Sequence, residues 1–121
     1  MLNRLFSNWV YGGLAAGTLL LLLMPLFTLG WSIALKCCYL SLPIYMLHQY
    51  EEWDDDRFRI FLNDYLGYGK DLLTHQAGFV INIFGVWCVI GLSLYMAMYV
   101  NLGYGLIAAY LLLVNALVHI L

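Results

Sequence analysis

Residues 9–29, WVYGGLAAGTLLLLLMPLFTL, contain no charged side chain. About 20 apolar residues cross the hydrocarbon of a bilayer, so this stretch reads as a transmembrane helix. The apolar run continues to about Tyr50, too far for one crossing, and Pro25 and Gly30 mark the break. One helix is predicted over about 8–27 and a second over about 31–53, with a tight turn between them. Pro43 should kink the second, which neighbouring helices make tolerable in a membrane. A later apolar stretch, from Gln76 to Leu121, is divided by Asn101, Gly103 and Gly105. It gives helices over about 76–100 and 104–121.

Composition agrees with this reading. The 121 residues are 64% hydrophobic and 10% charged, against about 25% charged in an ordinary soluble domain. A soluble chain this short could not bury so much apolar surface. Ten of the twelve charged residues fall between Glu51 and Asp71, leaving only Arg4 and Lys36 outside. They define a polar loop over about 54–75. Within it, Arg57 to Leu66 alternates basic, apolar and acidic residues, as an amphipathic helix on the membrane surface does, and Gly67 and Gly69 end it. The expected fold is therefore all-α: one integral membrane helical bundle of about four transmembrane helices, with a short amphipathic helix in its loop.

Arg4, Arg57, Arg59 and Lys70 fall on one side of that bundle, which the positive-inside rule makes cytoplasmic. The N-terminus and residues 51–75 are expected there, and Lys36 is expected to snorkel to the opposite interface. The first helix reads as retained rather than as a signal peptide, since no small-residue cleavage site stands out. Trp9, Tyr11, Tyr45, Tyr50 and Trp53 fit an interfacial aromatic belt on the loop side, and Trp31, Tyr99 and Tyr104 fit one on the other. Gly13 and Gly17 form a GxxxG pair suited to close helix packing. Cys37, Cys38 and Cys88 are odd in number and lie in apolar segments, so they indicate no disulfide framework. The lipid bilayer is the expected partner. Nucleic acid is not, because the net charge is −2 and no basic run occurs.

Chemistry enters at His48-Gln49-Tyr50-Glu51-Glu52. Residues three and four apart share a helical face, so His48 lies beside both Glu51 and Glu52, and Asp55 extends that face. Clustered carboxylates repel unless a cation offsets them. A divalent metal would do so, and His with carboxylate suits zinc, iron or manganese. A solvated helix end, with Arg59 pairing Asp55 four residues before it, accounts for the same residues without a metal. The topology sets His48, His75 and His119 at one level of the bundle. Asn115 lies one turn below His119, and Asn82 shares a face with His75 about 10 Å deeper by helical rise. Interhelical hydrogen bonding is a sufficient role for either amide.

Taken together, these segments resemble the HxxEE-domain membrane proteins. His48-Gln49-Tyr50-Glu51-Glu52 with Asp54-Asp55-Asp56-Arg57-Phe58 is similar to the family's signature. Asn82-Ile83-Phe84-Gly85-Val86-Trp87 and Leu113-Val114-Asn115-Ala116-Leu117-Val118-His119 fit in order, so the resemblance covers about residues 40–121. It implies a metal-binding or catalytic site built from the polar motifs within the membrane. Family members continue past the Asn-and-His helix into a further polar motif and another membrane segment, so site residues from that region are not among those present here.

Two functions of different class are compatible with these residues. One is a membrane-embedded metal-dependent enzyme at the cytoplasmic interface. His48, Glu51, Glu52 and His119 are its candidate ligands, Glu51 and Glu52 its candidate catalytic groups, and Asp55, His75, Asn82 and Asn115 a second tier. Such a site could hydrolyse a lipid-like or small substrate, or run oxidative chemistry with two metals. The other is a non-catalytic accessory subunit that packs on other membrane subunits and could ligate a pigment or haem. A proton relay through Lys36, His48 and the glutamates is a third possibility.

Overall fold

A computed structural model describes residues 1–120. All regular structure among them is helical: α1 (Leu2–Phe27), α2 (Ile33–Trp53), α3 (Arg57–Tyr65), α4 (His75–Val80), a π-helical segment (Ile81–Trp87), α5 (Cys88–Tyr99) and α6 (Leu106–Ile120). α4, the π segment and α5 run on as one rod. The expected helix boundaries agree to within a few residues, except that α1 starts at Leu2, six residues early. Leu121, the last residue of the fourth expected span, lies outside the described residues.

Three helices are long and apolar enough to cross a bilayer: Leu2–Phe27, His75–Tyr99 and Leu102–Ile120. That is one fewer than expected. α2 has 21 residues, ample for a crossing, but Lys36, Pro43, His48, Gln49, Glu51 and Glu52 lower its hydropathy. The least apolar of the helices long enough to cross is thus the one that carries the HxxEE residues.

Local chemistry sets the ends of these helices. α1 outlives Pro25 by two residues and closes at Thr28, whose hydroxyl donates to the Met24 carbonyl at 2.8 Å. Gly30 then takes φ +77°, a conformation that favours glycine. Ser32 caps α2 by accepting the Leu35 N–H, and Thr74 caps α4 by accepting that of Ala77. Asn101 accepts the Gly103 N–H at 2.8 Å and turns the chain into α6. At that end, the Ser93 hydroxyl donates to the Tyr104 carbonyl and accepts the Ala108 N–H, tying α5 to α6.

Two apolar clusters hold the bundle together. The first joins Trp9, Val10 and Trp53, with Tyr50, Phe58, Phe79, Ile83 and Trp87 around them; the second joins Tyr45, Ile90 and Ala108. Trp9 packs edge-on against both Trp53 and Trp87, with ring centroids 5.3 and 5.8 Å apart. Trp9, Trp53 and Tyr45, expected at a water interface, are therefore buried. Alignment of the start of α1 with the end of α2 turns their rings inward.

The GxxxG pair does pack closely. A Cβ at Gly13 would meet the Trp87 ring, and one at Gly17 would lie 3.0 Å from the Met46 Cβ and 3.1 Å from the Pro43 carbonyl oxygen. Overpacking of this kind costs about 1–3 kcal/mol. Gly17→Leu should therefore lower the melting temperature of the detergent-solubilised protein, while Gly12→Ala, with open space at its Cβ, should not. Equal melting of the two variants would refute the packing account.

Around α3 the chain turns sharply. α2 ends at Trp53, and Asp55 and Asp56 both adopt positive φ, 54° and 60°. Asp55 therefore does not extend the face of His48, and its expected pairing with Arg59 is replaced. Arg59 instead bridges Asp56 at 2.6 Å and Asp71 at 2.7 Å. Hydrogen bonding to Asp56 raises the Arg59 pKa. Asn63 completes the clamp, donating to Asp71 and accepting the Leu73 N–H at 2.7 Å. The result fixes α3 across one end of the bundle.

Candidate metal centre

Two helices remote in sequence bring three ligand-capable side chains together. His48 and Glu52, one turn apart on α2, meet His119 from the last turn of α6. Their ligand atoms lie within 4.8 Å of one another. Glu52 Oε1 is 3.2 Å from His119 Nε2, and Glu52 Oε2 is 3.8 Å from His48 Nε2. Two ligands bound at about 2.1 Å in a tetrahedral zinc site lie roughly 3.4 Å apart, so small side-chain adjustments suffice. The Glu52 side chain is 13% exposed and that of His119 35%. The carboxylate is thus sheltered while one side of the cluster stays accessible, as an open coordination position requires.

Asn115 and Tyr45 prepare His48. The Tyr45 hydroxyl donates to Asn115 Oδ1 at 3.2 Å, which turns the Asn115 amide NH2 toward His48 Nε2 at 3.3 Å. An Nε2 that accepts this hydrogen bond carries no proton, and the ring proton is on Nδ1. That tautomer is the one that ligates a metal through Nε2. Ligation would take the lone pair over from the amide. Edge-to-face contact of the His48 and His119 rings, 5.2 Å apart, adds to the alignment.

The remaining candidates go elsewhere. Glu51 is exposed and outside the cluster, and its backbone carbonyl accepts from Arg57 at 2.6 Å. Helical spacing put Glu51 and Glu52 equally near His48, and the docking of α6 on the Glu52 side separates them. His75 lies near Asp56, at 3.7 Å, at the same end of the bundle as the cluster. Asp55 is exposed in its left-handed turn.

Asn82 belongs to a different network, centred on Gln49. Gln49 is 1% exposed; its amide donates to Asn82 Oδ1 and accepts the Trp87 indole N–H. Asn82 in turn donates to the Gly78 carbonyl at 2.8 Å. Residues 82 and 87 are five apart and would diverge on an α-helix, but the i→i+5 pattern of the π segment sets them one above the other. Sequence reading missed Gln49, Trp87 and the support from Tyr45. The only signal was a glutamine beside the motif histidine, on a helix otherwise facing apolar neighbours.

A cavity of about 840 Å³ adjoins the cluster. Glu52, His119, Asn115, Asn82, Tyr45 and Tyr65 are among its polar lining residues, and Phe58, Phe61, Leu62, Val86, Leu111 and Val114 form much of its apolar wall. A smaller cavity of about 560 Å³ is lined by Cys37, Cys38, Ser41 and residues near the start of α6, with no histidine or carboxylate. Comparison with known proteins returned no matching protein-family model, curated protein or solved structure.

Proposed function

We propose that the chain is an integral membrane protein that crosses the bilayer four times, α2 included, and holds one divalent metal at His48, Glu52 and His119 for hydrolysis of a lipid-like substrate. The convergence of His119 with His48 and Glu52, which lie 71 and 67 residues earlier in the chain (119 − 48 and 119 − 52), carries the reading. Many large apolar side chains on the spanning helices are exposed, as a lipid environment requires. The positive-inside rule then puts the N-terminus and α3 in the cytoplasm. Membership in the HxxEE-domain family belongs to the same proposal, carried by His48, Glu51, Glu52, Asn115 and His119.

Three protein ligands and an accessible side suit a metal that lowers the pKa of a bound water toward about 7 and so supplies a nucleophile. Zinc, iron and manganese all accept this donor set. The single carboxylate in the cluster favours hydrolysis over oxidative di-iron chemistry, which uses several bridging carboxylates.

Elemental analysis of the detergent-purified protein, beside His48→Ala and His119→Ala, tests the reading. About one equivalent of metal in the parent, lost in both variants, is the expected result. Folded protein that stays metal-free after metal is offered back would overturn it and favour the accessory subunit.

A further inference from the structure

We propose that the cavity beside Glu52 and His119 takes a single-chain lipid with an uncharged, oxygen-bearing head (an ester, amide or alcohol) and discriminates against phosphate-headed lipids. This rests on the hydrolytic reading for its chemistry, but not for its test.

Shape gives the first argument. The lining runs from Tyr45 to Trp53 on α2, from Gly78 to Val86 on α4 and the π segment, and from Leu111 to His119 on α6, and residues between Phe58 and Leu66, on and just after α3, wall the end beside Glu52. Each of the first three covers roughly 12 Å along its helix at 1.5 Å per residue. Glu52 and His119 lie at the end nearest α3, and Leu111 and Val86 at the deep end. A chain laid along this axis places its head at the metal ligands and its tail among apolar side chains. The volume of about 840 Å³ is within the range for one ligand molecule.

Charge gives the second. None of the five Lys and Arg residues lines the cavity. Arg57 is spent on the Glu51 and Asp54 carbonyls, and Arg59 on Asp56 and Asp71. Lys36 is in the first turn of α2, at the opposite end. Phosphate groups are held by Arg or Lys, often in bidentate pairs, or by a metal ion; with the metal removed, the charged side chain at the head position is Glu52, so it is the metal-free cavity that turns a phosphate away. Asn82 is also committed, to Gln49 and Gly78, and Asn115 to Tyr45 and His48, leaving His119 and the second N–H of the Asn115 amide to meet an uncharged carbonyl or hydroxyl.

Trp53 lines the cavity, so brominated acyl chains should quench its fluorescence, read among the four tryptophans as the part of the quenching that Trp53→Phe removes. Dibromostearoylglycerol and dibromostearoyl glycerol phosphate share a chain and differ in head. Titrated into chelator-treated full-length protein at equal micelle mole fractions, the uncharged lipid should bind at least roughly tenfold tighter, a difference of about 1.4 kcal/mol. Val114→Phe and Val118→Phe, each narrowing the cavity from α6, should weaken it. Phe61→Arg, at the α3 rim, should strengthen binding of the phosphate-headed lipid alone. Equal or reversed preference, or binding indifferent to both valine variants, would overturn the assignment. Metal content is measured separately, so head preference without metal removes only the hydrolytic reading. Metal without head preference removes only this one.

Discussion

Glu52→Gln is expected to strip the protein of its metal, while Glu51→Gln leaves the metal bound. The two carboxylates are neighbours in the sequence and differ by about 100° around α2 at 3.6 residues per turn. Glu52 approaches His119 to 3.2 Å, whereas Glu51 is exposed and outside the cluster. Loss of an outer-shell partner typically lowers metal affinity 10–100-fold, and loss of one of three direct ligands should exceed that. Glutamine keeps the shape of the side chain, so the effect reads ligation and not packing. Zinc affinity by competition with a chromophoric chelator checks the pair. Equal effects of the two substitutions, or a larger effect of Glu51→Gln, would remove Glu52 from the ligand set.

Gln49→Ala should destabilise the fold more than substitution of any residue in the metal cluster. Gln49 is 1% exposed and is the one link from α2 to both Asn82 and Trp87. Truncation opens a cavity and leaves the indole N–H and the Asn82 oxygen without partners. Each buried unsatisfied group costs about 1–3 kcal/mol, although membrane hydrogen bonds average nearer 0.6 kcal/mol in double-mutant cycles. A net loss of about 2–4 kcal/mol is expected once the cavity is included. Denaturant titration of the folded protein in mixed micelles measures it. His48→Ala is the contrast: its side chain is 39% exposed, so metal-free protein should lose little stability. If Gln49→Ala melts with the parent, the network is not what holds the π segment against α2.

The polar residues were only partly legible from spacing. His48 and His119 were recognisable as a pair because alternating helix direction returns the end of α2 and the end of α6 to one level. Spacing could not choose between Glu51 and Glu52, since three and four residues on from His48 are both near neighbours. Asp55 failed because the helix stops at Trp53, and two aspartates in the left-handed region redirect the chain. His75 and Asn82 share a face on an ideal helix, yet the first approaches Asp56 and the second Gln49. Trp9 and Trp53 have the amphipathic character of interface residues, but their positions on facing helices bury them.

What the sequence determined by itself was the helical class, the limits of the helices apart from the start of α1, and the gathering of charge at one end. These depend on local quantities: apolar run length, proline and glycine breaks, capping residues and charge counts. Tertiary structure decided which carboxylate joins the histidines, which amide supports them and which rings are buried. Those outcomes depend on the rotation of α6 against α2 and on the i→i+5 turn at Ile81–Trp87. Helix rotation and register are set by packing across the bundle, where residues far apart in the chain compete for the same space.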